Sequence, residues 1–590
     1  MVMKKYGARI QSILEFTTLL VIVVVGNILG NFYYLRIDLT EEKRYTLSET
    51  SKKLSNELKE KCYFRLYLDG DMSARFKNLR NEIRDMAYEF RELSGRKIEI
   101  EIIDPFEDKQ LSEVSSILDD FNQRGVMHQR DIEGEGGNST TIKNIIPGAE
   151  MMYAGKTVAI NFYEHDVALD ADNNIKRAID NVEYEIANGL RQCTLEKPKK
   201  IAVADGSGEM IDNRVGDFAA ELGKYYDVSA LNINVADPKS AEPFTDKLKS
   251  ISNPEEMGSV LMNSLQQRLN NNDLLLIIKP AKDYSPAELY LIDQFLLKGG
   301  KVIWMIDPVH VEIDSFETHS SIAAMDNQLE NINASLFHYG VKLESTLLMD
   351  ANCNQIPIPV GNRPEMIDFY YFPVFMSVGS PHIINKNVGP VWGQFPATLA
   401  TKSKTDLNVT PLLSSSPYTK TIQAPANVDL ENAYMQSRDD RFRSTLRGGS
   451  KITGVLMEGK FESPFIYQKH YTGLAFLTNG QSKMVVIADG DIVRNGVSGR
   501  GGIYPTGYDK FTKTTFANKK FMLNCIDYLI DENGLIEIRA KEKTLRLLDS
   551  EKTRLEHTYW QWFNIIAPLL SMVIFGLINN IYRKRKYQIR

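Results

Sequence analysis

This sequence of 590 residues contains few cysteines and few histidines, and its basic residues do not outnumber its acidic ones. The formal net charge is −6, so the basic stripe that a nucleic-acid-binding protein needs is not expected. The eight histidines are scattered, and no His-Glu-x-x-His motif occurs. The cysteines lie too far apart for a Cys-x-x-Cys pair or a zinc-binding spacing, at Cys62, Cys193, Cys353 and Cys525. We therefore expect no metal centre and no nucleic-acid partner.

Motifs for nucleotide binding and for nucleophilic catalysis are also missing. Gly155-Lys156-Thr157 resembles the end of a P-loop, but the first glycine of that motif would stand where this chain has Glu150. In the residues that follow, polar and apolar side chains alternate as they do in a strand, whereas a P-loop is followed by a helix. Gly206-Ser207-Gly208 is shorter than the Gly-x-Ser-x-Gly elbow of hydrolases. The sequence therefore predicts a hairpin turn at Gly155, no cofactor and no catalytic residue.

Two long apolar runs without a charged residue lie near the ends of the chain. The first covers residues 16–35 and the second 561–582, and about 20 apolar residues are enough to cross a bilayer. The first run is too long for a signal peptide and no A-x-A site follows it, which favours an uncleaved anchor. Basic residues lie in the tails 1–15 and 583–590. Because basic flanks stay in the cytoplasm, both tails are predicted to be cytoplasmic and the bulk of the chain extracytoplasmic.

Small and amide side chains lie together in the first run. Gly26 and Gly30 form a Gly-x-x-x-Gly pair with Asn27 beside them, a pattern that lets another helix approach closely in a membrane. The alternative is that this spacing arises by chance in a glycine-tolerant span. Neither run has an ionisable residue at mid-depth. We expect two anchors, in contact with membrane lipid and with the helices of a partner, rather than a pore.

Between the two runs the chain has the pattern of an α/β protein with mainly parallel sheet. A small βαβ domain is predicted for 36–195 and a larger α/β domain for 196–535, followed by an amphipathic juxtamembrane segment, 536–560. In the larger domain the run LLLII does not alternate, as expected for a strand buried on both faces of a parallel sheet. Residues 350–460 are rich in Pro, Ser and Asn and are predicted to be a loop-rich insertion.

Apolar spacing and turn residues predict the individual elements. Helices are expected at 49–60, 75–93, 215–226, 286–297, 325–339 and 513–530. Strands are expected at 62–68, at 97–104, near 127 and 157 with a polar loop between them, from 199 into a glycine-rich turn that ends at 209, and at 228–233, 273–280, 301–307 and 483–491.

Acidic residues follow three of the predicted strands of the larger domain. In open α/β sheets, ligands bind outside the carboxyl ends of the strands, so these residues could surround one crevice. A ligand or partner site is one interpretation, and the other is that Asp and Gly end strands for turn chemistry alone. The candidate residues are Asp205, Gly206, Ser207, Gly208, Glu209, Asp307, Asp489 and Asp491.

Three segments resemble a known family. DLTEEKRYTLSETSKKL (38–54) is similar to the signature that follows the first span in the gliding-motility-associated ABC transporter substrate-binding family GldG of Bacteroidota. IDQFLLKGGKVIWMIDP (292–308) and VVIADGDIVRN (485–495) resemble patterns shared with the wider ABC-transporter auxiliary family. One departure is that Gly206-Ser207-Gly208-Glu209 stands where relatives often have Gly-His-Gly-Glu, which weakens any catalytic or metal-binding role there.

The resemblance implies an accessory subunit in the bacterial inner membrane with a periplasmic body and no ATPase activity of its own. Its implied partners are a multi-span ABC permease, a cytoplasmic ABC ATPase and an extracytoplasmic ligand of unknown identity. Two other functions stay open. A membrane-tethered hydrolase-like enzyme would use Ser207 as its nucleophile, and a purely structural envelope element would need none of the acidic strand ends.

Overall fold

A computed structural model describes most of the chain. The described residues are 16–22, 24–25, 47–135, 139–163, 170–195, 198–249, 251, 253–360, 363–376, 382–386, 388–402, 404–467, 476–498, 501–530, 534, 536, 538 and 557–588. The chain divides into two compact units, Met1–Lys541 and Glu542–Arg590. Residues 16–22 and 24–25 are helical and exposed. The rest of the predicted first span, with Gly26, Asn27 and Gly30, lies outside the described residues, as does most of the predicted juxtamembrane segment.

The first sheet of the larger unit has four strands in the order β2-β1-β5-β6. Strands β1 and β2 are parallel, and β5 and β6 form an antiparallel hairpin beside β1. The turn of that hairpin has positive φ at Ala154 and Gly155, which confirms the turn predicted there. The strands of this region are β1 Cys62–Leu66, β2 Ile98–Ile102, β3 Gln129–Glu135, β4 Ser139–Ile145, β5 Gly148–Tyr153 and β6 Lys156–Asn161.

Helices cover both faces of this sheet. Ala74–Leu93 and Ala171–Thr194 bury Phe76 and Val182 in one core with Phe64 of β1. Leu111–Gln123 buries Phe121 against Tyr67 on the other face. The segment predicted as a polar loop differs, because β3 and β4 pair there as an antiparallel hairpin. Its return strand is Ser139-Thr-Thr-Ile-Lys-Asn-Ile145, and β-branched residues favour strands.

The second sheet has seven strands in the order β19-β22-β23-β10-β9-β7-β8. The five strands from β23 to β8 are parallel, and β22 and β19 extend the sheet antiparallel. All five residues of β9 are buried, as the unbroken apolar run predicts. The strands are β7 Lys200–Asp205, β8 Asp227–Asn232, β9 Leu274–Ile278, β10 Lys301–Met305, β19 Leu407–Ser414, β22 Ile452–Glu462 and β23 Asn479–Ile487.

Residues 309–429 carry further strands, and those after residue 350 lie in the segment 350–460 that the sequence predicts to be a loop-rich insertion. The longest of them pair as an antiparallel hairpin, Cys353–Val360 with Arg363–Phe375. Aromatic packing explains the difference, since the Phe369 and Phe372 rings lie 4.8 Å apart and both contact Phe395. The strands are β11 Val309–His310, β12 Ser321–Asp326, β13 Val341–Leu343, β14 Thr346–Asp350, β15 Cys353–Val360, β16 Arg363–Phe375, β17 Val391–Trp392, β18 Leu399–Thr401, β20 Thr419–Gln423 and β21 Ala426–Asp429; β24 Tyr508–Asp509 and β25 Thr514–Thr515 follow the second sheet.

Helix boundaries follow the capping residues. Pro286–Leu297 begins after Ser285, whose capping box with Glu288 satisfies two backbone N–H groups, and matches the predicted helix. The predicted helix 325–339 begins later than expected, because β12 extends to Asp326. The remaining helices are Glu49–Asn56, Gly216–Gly223, Pro238–Ala241, Thr245–Lys249, Pro254–Asn270, Glu330–Tyr339, Leu430–Arg438, Asp440–Arg443 and Asn518–Ile530, with short 3₁₀ turns at Asn213–Val215, Glu242–Phe244, Ile313–Glu317 and Ile383–Asn385.

Buried polar contacts join the two sheets. Asp527, on the Asn518–Ile530 helix of the second sheet, accepts a hydrogen bond from Tyr226. Its other oxygen lies 3.5 Å from the hydroxyl of Tyr184, which belongs to the helix packed on the first sheet. The carboxylate of Asp527 therefore has one donor from the part of the larger unit around the four-stranded sheet and one from the part around the seven-stranded sheet.

The second unit contains one long helix, His557–Gln588. At about 1.5 Å per residue its 32 residues extend about 48 Å, more than the thickness of a bilayer core. Within the described residues, the segment Gln561–Arg585, with a mean hydropathy of 1.9, is the one that is long and apolar enough to cross a membrane. It coincides with the second predicted span, and Arg583, Lys584 and Arg585 lie at its end.

We expect Gly480→Ala to destabilise the protein by at least about 2 kcal/mol, since forced overpacking has costs of this order. A Cβ atom at Gly480 in β23 would lie 1.9 Å from the backbone oxygen of Leu297. Gly258→Ala is the matched control, because a Cβ at this exposed helix position meets nothing within 4 Å, and the change should stabilise the protein by about 0.5–1 kcal/mol. Urea unfolding of both variants would measure the difference, and equal midpoints would contradict the close approach.

Candidate functional site

The acidic residues predicted from the sequence lie at one edge of the seven-stranded sheet. Strands β7, β9, β10 and β23 are parallel, so their carboxyl ends meet at the same edge. Asp307 follows β10, and Asp489 and Asp491 follow β23. Each of these three carboxylates offers an oxygen within 4.8 Å of the others, and all three residues are buried.

Two of the buried carboxylates, those of Asp307 and Asp491, are paired with a lysine that the sequence analysis does not single out. The Nζ atom of Lys279 lies 2.6 Å from Asp491 and 3.1 Å from Asp307. It also lies 3.2 Å from Glu312, at the start of the 309–429 region. The side chain of Lys279 is only 9% exposed, so its charge is held almost out of water. Buried charges are stable only when they are paired in this way.

The backbone at two strand ends makes this approach possible. Lys279 follows β9 directly and has a φ of +49°, a left-handed conformation that is uncommon for a residue with a side chain. Gly490 lies against it, since a Cβ there would be 2.8 Å from Lys279 Cβ and 3.0 Å from Asp307 Oδ1. The N–H of Gly490 donates to Asp307. A larger residue at position 490 would push the lysine and the carboxylate apart.

The ion-pair network continues from the buried cluster to the surface. Arg494 lies 3.5 Å from Asp491 and 2.6 Å from Asp314, which is 61% exposed. Arg494 and Arg214 both approach Glu312, at 3.7 Å and 4.0 Å. Asp489 points toward the same region, because its Oδ2 accepts a hydrogen bond from the N–H of Gln394. The network therefore fastens the 309–429 region to the edge of the sheet.

Burial dominates the protonation of the cluster. It raises the pKa of Asp307 from 3.8 to about 6, although Lys279 opposes the shift. It also raises the pKa of Asp489 well above its usual value, with the charges of Asp307 and Asp491 adding to the effect. For Lys279, burial alone would lower the pKa, but the carboxylates of Asp307, Asp491 and Glu312 outweigh it and raise the pKa. Lys279 is thus charged at every physiological pH.

Three carboxylates at this spacing are also the ligands that a hard divalent cation prefers. Here the cation that faces them is the Lys279 ammonium group, within hydrogen-bonding distance of Asp491 and Asp307. A metal ion at the same point would meet a fixed positive charge. The donor set therefore does not fit a metal while the lysine is in place.

The other predicted residues form a second group at the same edge. The turn after β7 has positive φ at Gly206 and Gly208. The carboxylate of Glu209 accepts hydrogen bonds from the N–H of Ser207, at 2.7 Å, and from the hydroxyl of Tyr284, at 2.5 Å. Burial and the charge of Glu209 raise the pKa of Tyr284 well above its usual value. Asp205 precedes this group at the end of β7 and is half-buried.

The segment after β9 joins the two groups. Lys279 belongs to the first group. In the second group, the backbone N–H of Lys282 donates to the backbone carbonyl oxygen of Ser207, and the Tyr284 hydroxyl donates to Glu209. Ser207 is itself buried, and no histidine among the described residues forms a hydrogen bond with its side chain that could activate it as a nucleophile. A hydrolytic arrangement needs such a base within hydrogen-bonding reach.

The residues at this edge that the sequence analysis did not identify include Lys279, Tyr284, Glu312 and Arg494. A signal existed for two of them. Lys279 ends the apolar run of β9, where a charged residue needs a partner, and Arg494 lies in the segment VVIADGDIVRN. Tyr284 and Glu312 lie outside helices and strands, in segments without a recognisable pattern.

Comparisons with known proteins agree with the resemblance at the level of the wider family. Residues 198–525 match the model of a family described as an ABC-type uncharacterized transport system, ABC_transp_aux. Residues 41–152 match a domain of unknown function. An uncharacterized protein of Borreliella burgdorferi is 22% identical over 565 residues, covering 93% of this chain and 94% of its own. A solved structure, the mmIFT52 N-terminal domain, matches 56% of this chain and 97% of its own at 12% identity, but its TM-score of 0.29 is too low to bear on the fold.

Replacing Lys279 by methionine should destabilise the protein by about 3–5 kcal/mol, the usual cost of leaving buried charges without a partner. Lys282→Met is the matched control, because Lys282 is exposed and close by in the chain, and it should change stability by less than about 0.5 kcal/mol. Urea unfolding would measure both. Equal stability of the two variants would show that the buried carboxylates do not depend on Lys279.

The raised pKa of Asp307 predicts a pH dependence of the free energy of unfolding. A carboxyl whose pKa rises from 3.8 to about 6 on folding binds its proton more tightly in the folded state. Its stabilising contribution is complete below pH 3.8 and is lost as the pH rises through about 6. Between these values the free energy of unfolding should fall less steeply with pH in Asp307→Asn than in the wild type. Asp246→Asn, at a fully exposed carboxylate, should keep the wild-type slope; an unchanged slope in Asp307→Asn would contradict the shift.

Proposed function

Because this chain belongs to the family described as an ABC-type uncharacterized transport system, we propose that it is a membrane-anchored accessory subunit of an ABC transporter. The subunit acts as a binding or scaffolding module, with its α/β body outside the cytoplasm. It works with a separate multi-span permease and a separate cytoplasmic ATPase. The family match over residues 198–525 is the observation that carries this proposal, since it covers more than half of the chain.

The geometry of the strand ends supports a role without catalysis. In enzymes with open α/β sheets, the carboxyl edge holds the substrate. Here that edge is filled by the ion pairs of Lys279 and by the hydrogen bond between Glu209 and Tyr284. Filling the crevice with internal contacts suits a scaffold, because it adds rigidity where an enzyme keeps space for a reactant.

The apolar C-terminal helix supports the membrane anchor. Gln561–Arg585 is long enough to span a bilayer, and its basic end suits the cytoplasmic side. With the predicted first span, both tails are cytoplasmic and the body is periplasmic, so ATP hydrolysis belongs to another subunit. The gliding-motility branch of the family is a finer prediction that rests on the segment 38–54 alone.

The proposal predicts that the full-length chain, purified from native membranes in mild detergent, carries an ABC permease and an ABC ATPase with it. Mass spectrometry of the purified material would identify them, and an unrelated tagged protein with one span is the control for membrane contaminants. Retention of neither ABC subunit above the control level would contradict the proposal and favour a purely structural envelope element.

Ser207→Ala separates the accessory subunit from a hydrolase-like enzyme. An enzyme with Ser207 as its nucleophile would lose its cellular function in this variant while the fold survives. An accessory subunit should instead retain both its ABC partners and its cellular function, because only the backbone of Ser207 is used in the Glu209 and Lys282 contacts. Co-purification and growth of a complemented deletion strain would test this expectation.

A further inference from the structure

An open groove lies at the carboxyl ends of β1 and β2 in the four-stranded sheet. Its larger part has a volume of about 490 Å³ and is lined by Tyr67, Ile103, Ile117 and Phe121 among others. A second part of about 410 Å³ adjoins it and shares Ile103 and Asp104. The floor is mainly apolar, and Ile103 is 37% exposed. This groove is separate from the filled edge of the seven-stranded sheet.

The floor of the groove is held in place by a buried charge. The hydroxyl of Tyr67 donates to Glu150 at 2.6 Å, and the Arg124 guanidinium donates to the same carboxylate at 2.8 Å. Arg124 also lies over the ring of Phe121, 4.2 Å from its centroid. The Tyr67 and Phe121 rings meet edge to face with centroids 4.7 Å apart. A binding surface that is already ordered loses little conformational entropy when a partner arrives.

The rim of the groove is acidic. Residues 104–120 contain six acidic residues and one basic residue, Lys109. Asp69 and Asp120 are neutralised within the protein by Arg80 and Arg124. Among the described residues, Asp104, Glu107 and Asp108 form no ion pair. The rim therefore keeps a net negative charge, which its one lysine, Lys109, offsets only in part.

We propose that this groove docks a cationic amphipathic segment of a partner protein, in which an apolar side chain is flanked by lysine or arginine. The apolar side chain would occupy the floor between Ile103 and Phe121, and the flanking cations would face Glu107 and Asp104. Charge complementarity directs such a segment to the rim, and burial of the apolar side chain supplies the affinity. A small polycation lacks the group that the floor would bury. The inference does not depend on the proposed transport role.

The test uses the full-length protein in nanodiscs of zwitterionic lipid, with empty nanodiscs as the baseline. The probe is a fluorescein-labelled peptide of alternating lysine and leucine around a central phenylalanine, followed by fluorescence anisotropy. Two comparison peptides are used. In one, every lysine is replaced by glutamate, and in the other every apolar residue is replaced by lysine. The first peptide should bind, and its affinity should fall with added salt because the contacts at the rim are exposed to solvent.

Charge changes in opposite directions identify the groove as the binding site. Glu107→Lys should weaken binding of the peptide by about tenfold, because it places like charges together, and Lys109→Glu should strengthen it. Glu57→Lys is the matched control, an exposed glutamate before β1 at the opposite edge of the same sheet, and it should leave the affinity unchanged. Ile103→Ser should also weaken binding of the peptide, because it removes apolar surface from the floor of the groove.

Three results would overturn the proposal. One is equal binding of the all-lysine peptide, which would indicate a site for polycations in general. Another is equal weakening by Glu107→Lys and Glu57→Lys, which would indicate non-specific attraction to an acidic protein. The last is that the wild-type protein binds no more peptide than the empty nanodiscs do, although its unfolding midpoint shows that it is folded.

Discussion

The ammonium group of Lys279 makes it possible for the carboxyl edge of the seven-stranded sheet to be buried at all. Parallel pairing brings the ends of β10 and β23 together, and with them Asp307, Asp489 and Asp491. Three ionised carboxylates could not be held out of water at this spacing without a cation or a bound proton, since each buried ion costs several kcal/mol. The lysine resolves the conflict, and the 309–429 region is fastened to the sheet through the same network by Glu312. Lys279 thus shares the placement of that region with Arg494, Arg214 and the hydrogen bond from Gln394 to Asp489.

This arrangement changes what the edge can do. The rule that ligands bind at the carboxyl ends of parallel strands assumes that a crevice stays open there. Here Lys279 fills one side and Tyr284 fills the other through Glu209. The residues that would be read as a site are thus satisfied by partners within the chain. Their acidic character alone is a poor guide to function, because strand ends also need such residues for turns and for ion pairs.

The sequence could predict the local elements of this edge but not the partner that neutralises it. The apolar run of β9 and the capping box of Pro286–Leu297 are local patterns, and both elements lie where they are expected. The contact between Lys279 and Asp491 joins residues 212 apart, and no local pattern encodes such a distance. The hairpin of β15 and β16 could not be predicted from local sequence for a related reason. Its prolines suggest loops, whereas the burial of Phe369 and Phe372 against Phe395 stabilises strands.

The two sheets use the same topological position in opposite ways, and charge balance accounts for the difference. At the seven-stranded sheet, Lys279 and Arg494 supply positive charge from inside the fold, so the edge closes and water is excluded. At the four-stranded sheet, the arginines that could balance the rim are already paired with Asp69 and Asp120. Among the described residues, the carboxylates of Asp104 and Glu107 therefore have no ion-pair partner beside the apolar floor. An edge that is not closed by its own chain is the one at which a partner can supply the missing charge, which is why function should be sought at the smaller sheet.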